Sequence, residues 1–296
     1  MGLRNSLNFV LRHPLSQGRK LANLGRLLAW QIGSRLVPGP VIVDFVNGAK
    51  LVVRPGMTGA TGNVYVGLHE FPEMAFALHF LRPGDLFVDV GANIGSYTVL
   101  AAAAAGADCI AFEPSAEAYK WLLLNIALND IADHVEPRLE AVGGKRGVVA
   151  FTSGQDTLNG VVRPGQETSA STRSVPITTL DSALDGRCPI MLKVDVEGYE
   201  TEVLNGATAL LESTELRVLI MELAGSGLHY GFDEQVLRAR IQEHGFEACI
   251  YQPFERRLTR RLRGSALPNT IFLRDYEAVK ARLENAPCFT VQGLHV

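Results

Sequence analysis

Residues 86–98, Leu-Phe-Val-Asp-Val-Gly-Ala-Asn-Ile-Gly-Ser-Tyr-Thr, restrict the folds open to this 296-residue chain more than any other stretch. Leu86 to Val90 is a short apolar, β-prone run carrying one acid, Asp89, just ahead of Gly91. Asn93 and Gly95 follow, and Ser96-Tyr97-Thr98 leads into Val99, Leu100 and five alanines before Gly106. This order predicts a buried strand, a tight glycine turn and a helix that starts near Ser96 and ends at Gly106. The turn presents backbone N–H groups at a helix N-terminus, where an anionic group of a ligand can sit. Gly91 and Gly95 matter because a Cβ at either would block close approach of backbone to ligand, or forbid the turn.

The turn is compatible with two ligand classes. A dinucleotide fingerprint has the spacing Gly-x-Gly-x-x-Gly, whereas this turn is Gly91-x-x-x-Gly95 with Asn93 where the second glycine belongs. That glycine is what lets a pyrophosphate lie against the backbone. Asp89 suits a cationic amine better than a pyrophosphate. The features favour a compact zwitterion, such as the methionine part of S-adenosylmethionine. A glycine turn that serves only helix packing is the plainer alternative.

Around this motif the chain alternates strand and helix patterns. Residues 3–36 place Leu3, Leu7, Val10 and Leu11 on one helical face, and Leu21, Leu24, Leu27, Leu28 and Ile32 repeat it after a break near Pro14 and Gly18. One reading is a helix pair packed on the domain; the other is a basic amphipathic surface touching an anionic membrane or a partner. Residues 41–46 and 50–54 read as strands around the Asn47-Gly48 turn. Residues 56–62 read as a loop and 69–81 as a helix, with a turn at 82–85. A strand at 108–113 is stopped by Pro114, and Ser115 N-caps the next helix. A weaker strand covers 135–142. Segments 147–152, 160–163 and 173–178 form a hairpin-like excursion with a polar loop at 166–171, and 180–184 is one helical turn. Then come a strand at 190–196, a helix to about Leu211, a strand at 218–222, a helix at 233–244 and strands at 246–251 and 270–273. The alternation predicts a mostly parallel sheet covered on both faces.

Composition excludes several classes. With 47% apolar and 20% charged residues the chain can bury an ordinary globular core. No run approaches the roughly 18–20 apolar residues needed to span a bilayer. Cys109, Cys188, Cys249 and Cys288 lie far apart, which disfavours metal or disulfide use and fits a reducing cytoplasm. Residues 1–43 hold Arg4, Arg12, Arg19, Lys20, Arg26 and Arg35 and no acid, leaving 22 basic against 31 acidic residues elsewhere. That start lacks the apolar core and cleavage site of a secretory signal.

In sheets of this kind ligands bind at the carboxyl ends of strands near the switch point. Glu113 ends the second strand, where an acid can accept both hydroxyls of a ribose. Lys193, Asp195 and Glu197 alternate and so point to one side. Charges inside an apolar strand are costly unless paired, so Lys193 and Asp195 form either a structural pair or a site in which Lys193 keeps Asp195 ionised beside the substrate hydroxyl. Glu222 ends the next strand and can join them, and such an acid trio also permits a divalent metal; none is assigned. His69 and Glu70 can wall the cofactor, and His229 and Tyr230 can meet the substrate, although each also reads as a surface or packing residue.

The segments VDVGANIGSYT, FEPS and LKVDVEGYE, with GNVYVGLHEF upstream, together resemble the FkbM family of S-adenosylmethionine-dependent methyltransferases over roughly residues 65–222. The resemblance implies an α/β class I, Rossmann-like fold: a mostly parallel seven-stranded sheet with helices on both faces, preceded here by a helical segment and a β-hairpin. It divides the chain into a basic helical segment (1–40) and a methyltransferase domain (41–296), with the hairpin at 41–56 and the cofactor core at about 65–275. By position, Asp89, Gly91, Asn93 and Gly95 form the cofactor loop, Glu113 binds the ribose and Val142 approaches the adenine. Asp195 and Glu197 match the acidic strand end, and Asp195 is the candidate base. The implied reaction is O-methylation of a small-molecule or glycan hydroxyl, on a sugar, glycolipid or polyketide. The implied setting is the cytoplasm, with peripheral contact at the inner face of the membrane as the role open to residues 1–40. The variable loop at 155–171 leaves the acceptor open, as the sequence leaves the oligomeric state. Three rivals stand beside this reading. A nicotinamide-dependent oxidoreductase lacks its glycine at Asn93. A non-catalytic binding protein would not need Asp89, Gly91, Glu113 and Asp195 intact. Nucleic-acid methylation would rest on Arg256, Arg257, Arg260, Arg261 and Arg263, a short cluster without interleaved aromatics that reads as a solvated face, so no nucleic-acid partner is expected.

Overall fold

A computed structural model of the chain describes residues 2–152, 159–162, 172–261 and 269–296. Its N-terminal segment is a helix pair, α1 (Leu3–Arg12) and α2 (Lys20–Leu36), reversed through a 3-10 turn at Pro14–Ser16. Val10 and Leu27 pack with Tyr65 and Val66. The hairpin β1 (Val41–Asp44) and β2 (Lys50–Val53) turns at Asn47 and Gly48, both with positive φ (50° and 86°), as a two-residue type I′ turn requires.

The expectation of a loop at 56–62 is wrong: a helix, α3 (Thr58–Val66), occupies that stretch. Gly59 and Gly62 each cost a helix about 1 kcal/mol relative to alanine, but packing against α2 overrides that local preference. Gly62 is a spatial requirement, since a Cβ there would overlap the His69 ring. Next comes α4 (Phe71–Phe80), buried almost throughout.

The central unit follows as expected, with β3 (Leu86–Val90), the glycine turn and α5 (Ser96–Val99). The alanine run continues α5 as a wider π turn over Leu100–Ala104, closed by the Ala105 N–H donating to the Leu100 carbonyl (3.0 Å). β4 (Asp108–Phe112) leads to α6 (Ala116–Leu128), whose first turn Ser115 caps by accepting from the Ala118 N–H. The single strand expected over 135–142 is two: β5 (Val135–Arg138) edges the main sheet, where Pro137 is tolerated, and β6 (Ala141–Val142) leaves it. β6 joins β7 (Gly147–Thr152) and β8 (Thr172–Thr178) in a separate three-stranded sheet. Most of the 155–171 loop, including the polar stretch 166–171 and Arg163, lies outside the described residues.

α7 (Leu180–Leu184) and β9 (Met191–Val194) come next. The helix expected up to Leu211 is split into α8 (Glu200–Asn205) and α9 (Thr208–Glu212). The break falls at Gly206, where a Cβ would overlap the Gly143 carbonyl. The chain finishes with β10 (Val218–Glu222), α10 (Glu234–Glu243), β11 (Glu247–Gln252), β12 (Arg257–Arg260), β13 (Asn269–Leu273), α11 (Tyr276–Glu284) and the short pair β14 (Thr290–Val291) and β15 (Leu294–His295).

The main sheet has eight strands, not seven, in the order β12-β11-β13-β10-β9-β3-β4-β5. Five neighbours, β10 to β5, run parallel; β13, β11 and β12 are joined by antiparallel pairings. The added strand is β12, built from the arginine segment, which carries no apolar alternation to reveal it. Alternate residues feed two cores. Phe87, Cys109, Met191 and Ile220 face α4, α5 and α11, while Val88, Ile110, Leu192 and Leu219 face α7 to α10. Burial on both faces explains the continuous apolar runs in the sequence. Strand order reverses between β3 and β9, so the crevice at their carboxyl ends is the expected ligand position.

Candidate active site

At the end of β3 the Gly91 and Ala92 N–H groups both donate to the Phe112 carbonyl (3.0 Å each). Gly91 (φ 82°), Asn93 (φ 51°) and Gly95 (φ 88°) all take the left-handed backbone, so the turn itself demands glycine or asparagine. The close approaches are within the protein. A Cβ on Gly91 would overlap the Asp195 carbonyl oxygen, and one on Gly95 would strike Leu122.

Glu113 straddles two turns: one oxygen accepts from the Asn93 N–H (2.8 Å), the other from the Ser115 N–H (2.7 Å). Burial pushes its carboxyl up to about 7, against the two donors that favour its charge. Each oxygen keeps a further lone pair. With Ser115, Val142 and Tyr199, Glu113 lines a first cleft of about 770 Å³, open mouth included. A second, of about 880 Å³, lies on the other side of the turn and is lined by Asp89, Lys193, Glu70 and Glu222. Both are of ordinary small-molecule size. Gly91, Asn93, Asp195 and Glu197 border both clefts.

Parallel register sets Asp89 beside Lys193 on one face of the sheet. Asp89 is buried; Oδ2 accepts from the Thr98 hydroxyl (2.8 Å), while Oδ1 has no partner. Burial raises its pKa, with Lys193 opposing. The Lys193 ammonium donates to Asp195 Oδ2 (2.9 Å) and lies 4.7 Å from the centre of the Tyr97 ring. Burial alone favours a neutral amine, but the Asp195, Asp89 and Glu70 carboxylates hold the charge and raise its pKa. Tyr97 in turn donates to Glu70 Oε2 (2.7 Å).

Asp195 lies just past β9, its N–H still donating to the Val90 carbonyl (3.0 Å). Burial opposes its ionisation, yet Lys193 and a hydrogen bond from Glu222 outweigh burial and hold its pKa low. Glu222, pushed up by burial and by the Asp195 charge, keeps its proton. Strand alternation does not reach Glu197, contrary to the sequence reading. Glu197 sits in a turn (φ 55°, then Gly198 at 103°) held by Glu200, which accepts from the Val196 (3.2 Å) and Gly198 (3.1 Å) N–H groups. Burial, then the Asp195 and Glu200 charges, push Glu197 up to about 7. Carboxylate oxygens of Asp195, Glu197 and Glu222 lie within 4.8 Å of one another. A divalent cation would compete there with the Lys193 ammonium and the Glu222 proton.

His69 lines the second cleft, its ring 5.0 Å from that of Phe9 and its backbone N–H held by Asn63 (2.7 Å). Tyr230 instead donates to the Val161 carbonyl (2.8 Å), and neither it nor His229 borders either cleft. Sequence reasoning missed Asn63, Tyr97, Tyr199 and Glu200; all lie in the quoted motifs, but nothing local marks which of them face the clefts. The arginine cluster is engaged on the sheet edge. Arg256 holds the Ala286 and Pro287 carbonyls, Arg257 donates to Gln252 (2.6 Å), Arg260 pairs with Glu247 and Arg261 donates to Thr270 (2.9 Å). Arg263 lies outside the described residues.

Residues 89–248, more than half of the chain, match the family model described as the methyltransferase FkbM domain. Hexuronic acid methyltransferase AglP of Haloferax volcanii is 29% identical over 160 residues, covering 54% of this chain and 62% of that protein, so the match spans less than two thirds of the relative. Among solved structures, methyltransferase FkbM of Methylobacillus flagellatus superposes with a TM-score of 0.44 and 16% identity, over 71% of this chain and 53% of that one. The C-terminal domain of precorrin-6Y C5,15-methyltransferase of Rhodobacter capsulatus gives 0.40 and 15%, over 70% and 88%.

Proposed function

The chain belongs to the FkbM methyltransferase family, and on that premise we propose that it transfers a methyl group from S-adenosylmethionine to a hydroxyl of a sugar. The observation that carries this reading is the pair of clefts that meet along Gly91, Asn93, Asp195 and Glu197. A donor with its nucleoside in the first cleft and its ammonium reaching Asp89 past the shared residues would meet an acceptor held in the rest of the second cleft. The sugar class rests on the hexuronic acid methyltransferase relative.

The residues present fit the cofactor. The unpaired, buried Oδ1 of Asp89 lacks a donor, which an α-ammonium group would provide. Glu113 has lone pairs for ribose hydroxyls, and Val142 offers apolar surface for an adenine. When bound, S-adenosylmethionine supplies an electrophilic methyl on sulfur.

The chain's task is then alignment and proton acceptance. Lys193 keeps Asp195 ionised, so Asp195 accepts a hydrogen bond from the acceptor hydroxyl and fixes its direction. The same ammonium leaves Asp195 weakly basic. Glu197, close by and shifted to about 7, is better matched to take the proton as the C–O bond forms.

Calorimetry with S-adenosylmethionine, its demethylated product and NAD tests the donor. Labelled methyl transfer to a panel of sugars, uronic acids, glycolipids and small alcohols tests the acceptor. NAD binding without adenosylmethionine binding sinks the reading; transfer to nitrogen or carbon alone sinks the hydroxyl assignment.

A further inference from the structure

Of the seventeen large apolar side chains exposed among the described residues, ten lie within residues 3–42. Four of them, Leu21 (86% exposed), Leu28 (54%), Ile32 (58%) and Leu36 (76%), recur along α2 at spacings of seven, four and four, and so share one face. Packing does not account for that stripe, because α2 docks through Asn23 and Leu27 on its other side. Leu3, Leu7 and Leu11 form a second exposed row on α1, and Val41 and Ile42 are exposed on the hairpin. Single exposed aliphatics are normal, whereas concentrated apolar surface beside charged residues marks an interaction site.

Charge selects the partner. Arg4, Arg12, Lys20 and Arg35 are exposed on these two helices. Arg26 is turned inward to the Tyr65 carbonyl (3.3 Å) and does not count. The helices carry no acid, while the rest of the chain is net negative by nine charges. Each near-surface cation favours an anionic bilayer about fivefold, and the acidic body is repelled by the same surface. Both effects orient α1 and α2 toward lipid. A second copy of the chain would instead bring two basic faces together.

We infer that α1 and α2 dock this enzyme on an anionic membrane surface, with the α2 stripe in the acyl boundary and the exposed cations at phosphate level. Sedimentation of the full chain with phosphatidylcholine vesicles, with and without phosphatidylglycerol, tests this. Binding is expected only to the mixed vesicles and weakens as salt rises. The double variant Leu28→Ser/Ile32→Ser, whose side chains border neither cleft, keeps its melting temperature and loses about tenfold or more in partition. Arg4→Ser and Lys20→Ser each lower it about fivefold. Absence of binding to mixed vesicles, or binding that survives the double substitution, overturns the inference. So does a dimer in solution that the same double substitution abolishes, because a second copy would then be what covers the stripe.

Discussion

Asp195 receives a lysine ammonium on one oxygen and a hydrogen bond from Glu222, and its charge follows from both. Asp195 and Glu222 titrate as a pair holding one proton between them, so neither alone sets the pH response. Asp195→Asn keeps the size of the side chain and removes the charge that orients the acceptor. Turnover should fall about 100-fold, the scale of lost positioning, with the dissociation constant for S-adenosylmethionine changed only a few-fold by calorimetry. Collapse of cofactor binding with normal turnover at saturation would make Asp195 a donor contact instead. Glu197 must be ionised to take a proton, and its pKa of about 7 means the rate should rise as pH climbs through that value. Glu197→Gln should abolish this limb in a pH–rate profile; an unchanged limb returns the role to another group. These acids were legible because charge at the carboxyl end of an apolar strand has few structural uses. Tyr97 and Glu70 were harder to place, because the bond between their side chains depends on how α4 packs over the sheet.

At the scale of elements, the strands of the parallel half were readable because burial on both faces writes them as unbroken apolar runs. α3 was hidden because its stability is tertiary: Gly62, which lowers its local propensity, makes room for His69, and Tyr65 and Val66 find cover under Val10 and Leu27. Strand β12 was hidden for the opposite reason, being an edge strand with arginine and threonine in place of an apolar pattern. The helix pair packs on the body through Val10 and Leu27, but of the apolar faces read from the sequence it leaves Leu3, Leu7, Leu11, Leu21, Leu28 and Ile32 in solvent. Removing residues 2–36 should uncover Tyr65 and Val66 and strip the core of Leu15. At about 1.5–3 kcal/mol for each large buried aliphatic, stability should drop by at least about 3 kcal/mol in urea titration, and amides of 58–66 should lose protection from hydrogen exchange. A truncated chain of unchanged stability would show that α3 needs no cover.

For the whole molecule, burial of carboxyls sets how stability depends on pH. Glu113, Glu197 and Glu200 are pushed up to about 7 and Glu73 to about 8, in each case first by burial. Unfolded, they titrate near 4.3. The native state therefore binds extra protons between these values, and the contribution is full below the unfolded pKa and lost as pH rises through the folded one. His13 and His79, lowered to about 4 by burial, act in the other sense, but their contribution is already complete above about 6.5. The melting temperature of the cofactor-free protein should consequently fall between about pH 6.5 and 8, and Glu200→Gln should flatten the fall in a calorimetric series. A melting temperature that climbs over that range would show these carboxyls ionised in the native state. The two clefts also differ in where along the chain their walls come from. Every described residue lining the first, from Val90 to Tyr199, lies inside the 89–248 family match, whereas Met57, Gly59, Ala60, Asn63, His69, Glu70 and Met74 of the second precede it. On the proposed reading, a recombination point ahead of Asp89 would exchange much of the acceptor side while leaving the first cleft whole, so a lineage could change its sugar without rebuilding its chemistry.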